Sequence, residues 1–111
     1  MPKTNIRVKI LSDEINNSFK TKAIYNKNTY TYIDNENNKN IIDIDNKILT
    51  RISKDTITTI SINDKKIKIE FNNEYLNIPL EKESFICNNK SIIIKYTIYN
   101  NNILYELHKE E

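Results

Sequence analysis

The residues of this 111-residue chain with the most chemistry to offer are two arginines, one histidine, one cysteine and seven tyrosines. Nucleophilic catalysis requires a base beside the nucleophile. The only histidine, His108, falls out of phase with the apolar set Ile103, Tyr105 and Leu107 and is expected to face solvent. Cys87 is in phase with Phe85 and has no neighbouring cation to lower its pKa, so it reads as a small buried hydrophobe. One His and one Cys cannot form a zinc site, and the Asp43/Asp45 pair precedes no glycine-containing calcium loop, so no metal or cofactor is expected. The chain contains no glycine, which removes the phosphate-cradling loops that depend on it. No catalytic residue stands out, and an enzyme is not the expected reading.

Four residues carry the best case for ligand binding. Arg51 lies beside Leu49 on the face opposite Ile48 and Ile52. Its direction, into a barrel or away from it, is open at this level. Turned inward it needs a carboxylate partner and could anchor an anionic ligand. Tyr30 and Tyr32 share a strand face, and Tyr96 sits on the apolar face of a late strand; aromatics placed this way line the cavity of a small barrel or pack its core. Interleaved lysines could combine with them to stack nucleic-acid bases. However, the net charge is only +2, and the Lys65, Lys66 and Lys68 group reads as a solvated strand face, so nucleic acid is not an expected partner. Arg7 likewise reads as surface.

Alternation of apolar and polar residues dominates the chain that must position these groups. Ile6, Val8 and Ile10 share one face. Phe19, Thr21, Ala23 and Tyr25 follow, then Tyr30 and Tyr32, Ile42 and Ile44, and Ile48, Thr50 and Ile52. Ile57 and Ile60 are out of phase by one residue, which predicts a β-bulge between them. Strict alternation resumes at Ile67, Ile69 and Phe71, continues through Leu76 and Ile78 with Pro79 at an edge or strand end, and ends with Ile92, Ile94, Tyr96, Ile98 and Ile103, Tyr105, Leu107. The links are short and asparagine-rich. Asn is the side-chain-bearing residue that best tolerates positive φ, so several of Asn63, Asn72, Asn73, Asn88, Asn89, Asn101 and Asn102 are expected in the left-handed conformation. The excess of Ile, Asn and Lys also matches an A/T-rich codon bias, as in an AT-rich bacterial genome. Short strands with hairpin-length links predict one all-β domain over residues 1–111, an antiparallel up-and-down β-barrel of about 8–10 strands. A meander of this length must close or leave two exposed edges.

Three stretches carry a family resemblance: Tyr25-Asn26-Lys27-Asn28-Thr29-Tyr30-Thr31-Tyr32, Ile48-Leu49-Thr50-Arg51-Ile52, and Ile92-Ile93-Ile94-Lys95-Tyr96-Thr97-Ile98-Tyr99. They resemble the aromatic hairpin, the strand ending near an arginine and the late tyrosine-centred strand of the YwiB-like family, bacterial proteins of unknown function. The resemblance implies a calycin-like, lipocalin-like barrel and no particular activity. Ser53-Lys54 and Asn72-Asn73 stand where that family has glycines. A single cysteine, no apolar leader within Met1 to Ile10 and no run of about 20 apolar residues make a cytoplasmic location the expectation, without a membrane partner. The expected function is binding of a small apolar or amphipathic ligand inside the barrel. The alternative is a protein-interaction module, such as a homodimer, whose barrel is filled.

Overall fold

The computed structural model describes residues 3–110. They form eleven strands and no helix: β1 (Lys3–Leu11), β2 (Asn16–Asn26), β3 (Thr29–Ile33), β4 (Lys39–Asp43), β5 (Ile48–Ile52), β6 (Thr56–Ser61), β7 (Lys66–Phe71), β8 (Glu74–Pro79), β9 (Glu81–Cys87), β10 (Ser91–Ile98) and β11 (Asn101–Lys109). All belong to one antiparallel sheet ordered β8-β7-β6-β5-β4-β3-β2-β1-β11-β10-β9. Residues from β1–β8 line the same cavity as residues from β10 and β11, so the sheet is wrapped into a barrel.

Closure follows from the strand directions. β8 is antiparallel to β7, and β9 is antiparallel to β10. Counting directions around the sheet, β8 and β9 point the same way, and only Leu80 separates them. They are two halves of one bent strand, the first paired to β7 and the second to β10. Counted so, the up-and-down barrel has ten strands. Leu80 is buried at the bend and its amide donates to the Lys65 carbonyl at 2.9 Å. Pro79, without an N–H to donate, ends β8 as its position in the sequence predicts. The ring is completed where β1 pairs with β11 from Ile6↔Lys109 to Leu11↔Leu104, extended by a bond from the Glu110 amide to the Asn5 carbonyl at 2.8 Å.

The inward residues are those the alternation selects: Ile6 and Val8, Ala23, Tyr30 and Tyr32, Ile42, Leu49, Ile60, Ile67, Ile92, Ile94 and Tyr96, Tyr105 and Leu107 are buried. One end is plugged. There Ile44, Ile62 and Leu80 tuck under the wall, their amides bonded to the carbonyls of Asn28, Lys47 and Lys65. The other end carries the Ser12–Ile15, Asp34–Asn38 and Ser53–Asp55 loops and the Asn72-Asn73 and Tyr99-Asn100 turns.

Three expectations need correction. No bulge interrupts β6, whose register with β5 and β7 runs unbroken; Thr58 occupies the inward position between Thr56 and Ile60, and Ile57 is an exposed outward isoleucine. The irregularity in the sheet lies instead between β9 and β10, at Lys95 to Thr97. Cys87 is exposed rather than buried, because it is the last residue of β9, where the wall ends. Of the asparagines expected with positive φ, Asn72 and Asn73 adopt it, but Asn63, Asn88, Asn89, Asn101 and Asn102 do not. The left-handed positions also fall on Lys27, Asn28, Asn37, Lys47, Lys65, Lys82, Tyr99 and Asn100. Lys27-Asn28, Asn72-Asn73 and Tyr99-Asn100 are paired positive-φ positions, the geometry of a type I′ hairpin. Lys47 and Lys65 each follow three turn residues, closed by Lys47 N to Ile44 O and Lys65 N to Ile62 O, where the left-handed residue completes the loop.

Candidate functional site

The open end leads into a cavity of about 380 Å³. Much of its wall is apolar: Phe19, Leu49, Ile60, Ile67, Ile69 and Ile78 project into it from five strands because they occupy the inward phase of each. Tyr32 enters from β3, and Tyr96 and Tyr105 enter from the adjacent strands β10 and β11. Tyr32 and Tyr105 are 2% and 3% exposed, and their hydroxyls are hydrogen-bonded to each other across the barrel. Phe19 packs against Tyr32 with ring centroids 6.2 Å apart. Burial pushes the Tyr96 phenol up to about 12. Burial also raises Tyr32, more than the bond from Tyr105 lowers it, and holds Tyr105 well above the ordinary tyrosine value. All three are therefore neutral hydroxyls at physiological pH.

Arg51 resolves to the inward face, two residues beyond Leu49 on β5 and at the mouth of the cavity. Its Nε lies 3.3 Å from Asp34 Oδ2 and its NH2 nitrogen 3.2 Å from Glu36 Oε2. Asp34 is fixed by its own loop. Its Oδ1 accepts the amides of Glu36 (2.9 Å) and Asn38 (3.0 Å), and its Oδ2 accepts Asn40 Nδ2 (3.0 Å). Burial alone would raise this carboxyl, but those three hydrogen bonds and Arg51 outweigh it and hold it below its ordinary range. Asn40, buried on β4 opposite both Tyr32 and Arg51, ties the strand wall to the loop. Glu14 completes the rim from the β1–β2 loop. Of the rim residues, Asn101 Oδ1 is the one buried side-chain oxygen or nitrogen with no hydrogen-bond partner among the described residues.

Three of the four residues singled out from the sequence thus meet here: Arg51 at the mouth, Tyr32 and Tyr96 in the wall. Tyr30 does not line the cavity. It is buried nearer the plugged end, 4.7 Å from the Tyr25 ring, with Lys109 Nζ 5.7 Å from its own ring. Tyr105 belongs to the site, although the sequence marks it only as one more residue of the last alternating strand. Its position in register with Ile94 and Ile10 makes it inward-facing, but its meeting with Tyr32 depends on barrel closure. Asp34, Glu36 and Asn40 come from the most polar loop and its flank, where alternation carries no signal.

Outside the barrel, His108 faces outward as expected, held between Ser91 Oγ (2.7 Å from Nδ1) and Glu106 Oε1 (3.1 Å from Nε2). The trio has the residue types of a nucleophilic relay. It lies on the outer face of paired strands, where the amides of the β10–β11 ladder are engaged and none is placed as an oxyanion donor. Asp43 and Asp45 accept bonds from Asn46 and Asn28 and so brace turns; no group of three metal-ligating side chains occurs among the described residues. The lysine cluster is solvated and paired, Lys65 with Glu83 and Lys68 with Glu70, and Arg7 pairs with Glu110 at the surface.

The chain matches no protein-family model and no curated protein.

Proposed function

We propose that this protein is a non-catalytic binding barrel that holds a small amphipathic ligand in its interior. The observation that carries the reading is the cavity itself: an opening of about 380 Å³ lined largely by isoleucine, leucine and phenylalanine, with the charged groups Glu14, Asp34, Glu36 and Arg51 at its open end. This volume falls in the range of small-molecule sites, and an apolar lining with a few placed polar groups is their usual form. The outer face carries Arg7, Lys9, Lys20, Lys22, Lys66 and Lys68, the reverse of the apolar outer band of a lipid-facing barrel, which supports a water-exposed protein.

The test is a calorimetric titration with octanol. Saturable binding at one site is expected, lost in Ile69→Trp, which fills the cavity. Absence of saturable octanol binding to the folded wild type would overturn the reading. A second reading, an interaction module that pairs through its edge, is favoured by β8, where Tyr75 and Leu76 are 66% and 58% exposed beside an unpaired strand edge. A dimer mass in native mass spectrometry, abolished by Leu76→Lys, is its expected signature.

A further inference from the structure

The mouth of the cavity is acidic, and this bears on which amphipathic ligand the barrel would take. Among the residues lining the cavity, Arg51 is the single cation, set against Glu14, Asp34 and Glu36. Its guanidinium is already engaged by two of those carboxylates, at 3.3 Å and 3.2 Å. A ligand carboxylate or phosphate would have to displace Glu36 and then sit beside Asp34, whose charge is held by three hydrogen bonds of its own loop. Like charges this close, at a mouth with a low-dielectric wall below it, repel strongly.

The buried polar groups point the same way. Tyr32 and Tyr105 bond only to each other. One hydroxyl proton is used in that bond, and the pair keeps more lone pairs than protons free to face the cavity. Asn101 Oδ1 is a further buried acceptor without a donor. The lining hydroxyls of Tyr96 and Thr58 can donate as well as accept, so what the site lacks is positive charge.

Resting on the binding-barrel reading above, we infer that the ligand is an amphipathic organic cation, an alkyl amine in chemical class, with its apolar tail among Leu49, Ile60, Ile67 and Ile69 and its ammonium at the Glu14–Asp34–Glu36 mouth. Arg51 does not act as an anion anchor; it fixes the two carboxylates of the Asp34–Asn38 loop in place.

The experiment compares three probes with one tail, octylamine, octanol and octanoate, titrated calorimetrically against the full chain at neutral pH and low salt. Octylamine is expected to bind about ten-fold or more tighter than octanoate, with octanol between them. In Glu14→Gln/Glu36→Gln the ratio should collapse toward unity while octanol binding is unchanged. In Arg51→Gln, which removes the cation, the ratio should widen; this variant gives an independent reading if the double variant fails to fold. Octanol bound with octanoate as tight as octylamine overturns the head-group inference alone. A preference for octylamine that survives the double glutamate variant overturns it as well. Failure of octanol to bind the folded wild type removes the cavity reading on which the inference rests.

Discussion

The tyrosine pair is the most consequential contact at the residue scale, because it joins β3 to β11 across the barrel interior. Tyr105→Phe would leave the Tyr32 hydroxyl buried without its partner and should cost about 1–2 kcal/mol in denaturant unfolding. The double change Tyr32→Phe/Tyr105→Phe should cost less than the two single changes summed, since neither hydroxyl is then stranded. The titrations set opposite limits on stability. The phenols of Tyr32, Tyr96 and Tyr105 are raised in the folded protein, so the native state holds protons that the unfolded chain releases above the ordinary tyrosine value of 10.0. Stability should be fully present below that pH and decline as pH rises from it toward about 12, the folded value of Tyr96. Asp34 has the opposite sign. Its lowered pKa stabilises the fold above the ordinary value of 3.8 and that contribution is lost as pH falls below it. Unfolding midpoints measured across pH should show both shoulders, and Asp34→Asn should erase the acid one.

Turns are where the chain departs most from common practice at the element scale. Lys27, Lys47 and Lys65 adopt left-handed backbone angles with φ between 51° and 56°, a conformation that a side chain makes costly by about 1–2 kcal/mol. Lys47→Gly, at a solvent-exposed turn, is expected to raise stability by about 0.5–1 kcal/mol, after the extra entropy of an unfolded glycine is taken into account; a lower denaturant midpoint would contradict this. These lysines explain why the turn prediction was only partly right. Asparagine clusters mark where the chain turns, but which residue carries positive φ depends on loop length and register. In Asn63-Asp64-Lys65 the third residue takes it, whatever its type, because the loop closes from Lys65 N to Ile62 O. The strand faces, by contrast, are legible from Ile6 to Leu107, because a period of two survives any arrangement of the strands. β6 escaped because an inward threonine, Thr58, breaks the apolar pattern without breaking the strand. The site was half visible for the same reason: Arg51, Tyr32 and Tyr96 sit on regular strands, but Asp34, Glu36 and Glu14 reach them only through loops.

Over the whole molecule, the bend at Leu80 is the structural hinge of closure. One chain segment serves two distant neighbours, and the side chain at the bend is buried. Leu80→Ala should cost about 2–4 kcal/mol by leaving a cavity between the β6–β7 turn and the bend, with the loss seen as one cooperative transition. Among the described residues the outer side of β8 carries no neighbouring strand, so its amides not bonded to β7 should exchange with solvent well before those of β1, which is paired on both sides. Hydrogen exchange should rank the two in that order.

With β8 and β9 counted as one bent strand, every strand pairs with the strands before and after it in sequence, and the pairing of β1 with β11 makes the first also the neighbour of the last. The fold is in effect a closed necklace with its clasp at Asn5 and Glu110, joined there by a backbone bond of 2.8 Å. Where the clasp lies is then arbitrary to the architecture. Tethering the two ends with a short flexible linker and cutting the chain at Asn72-Asn73 should yield a rearranged molecule with the same barrel, the same cavity and the same mouth.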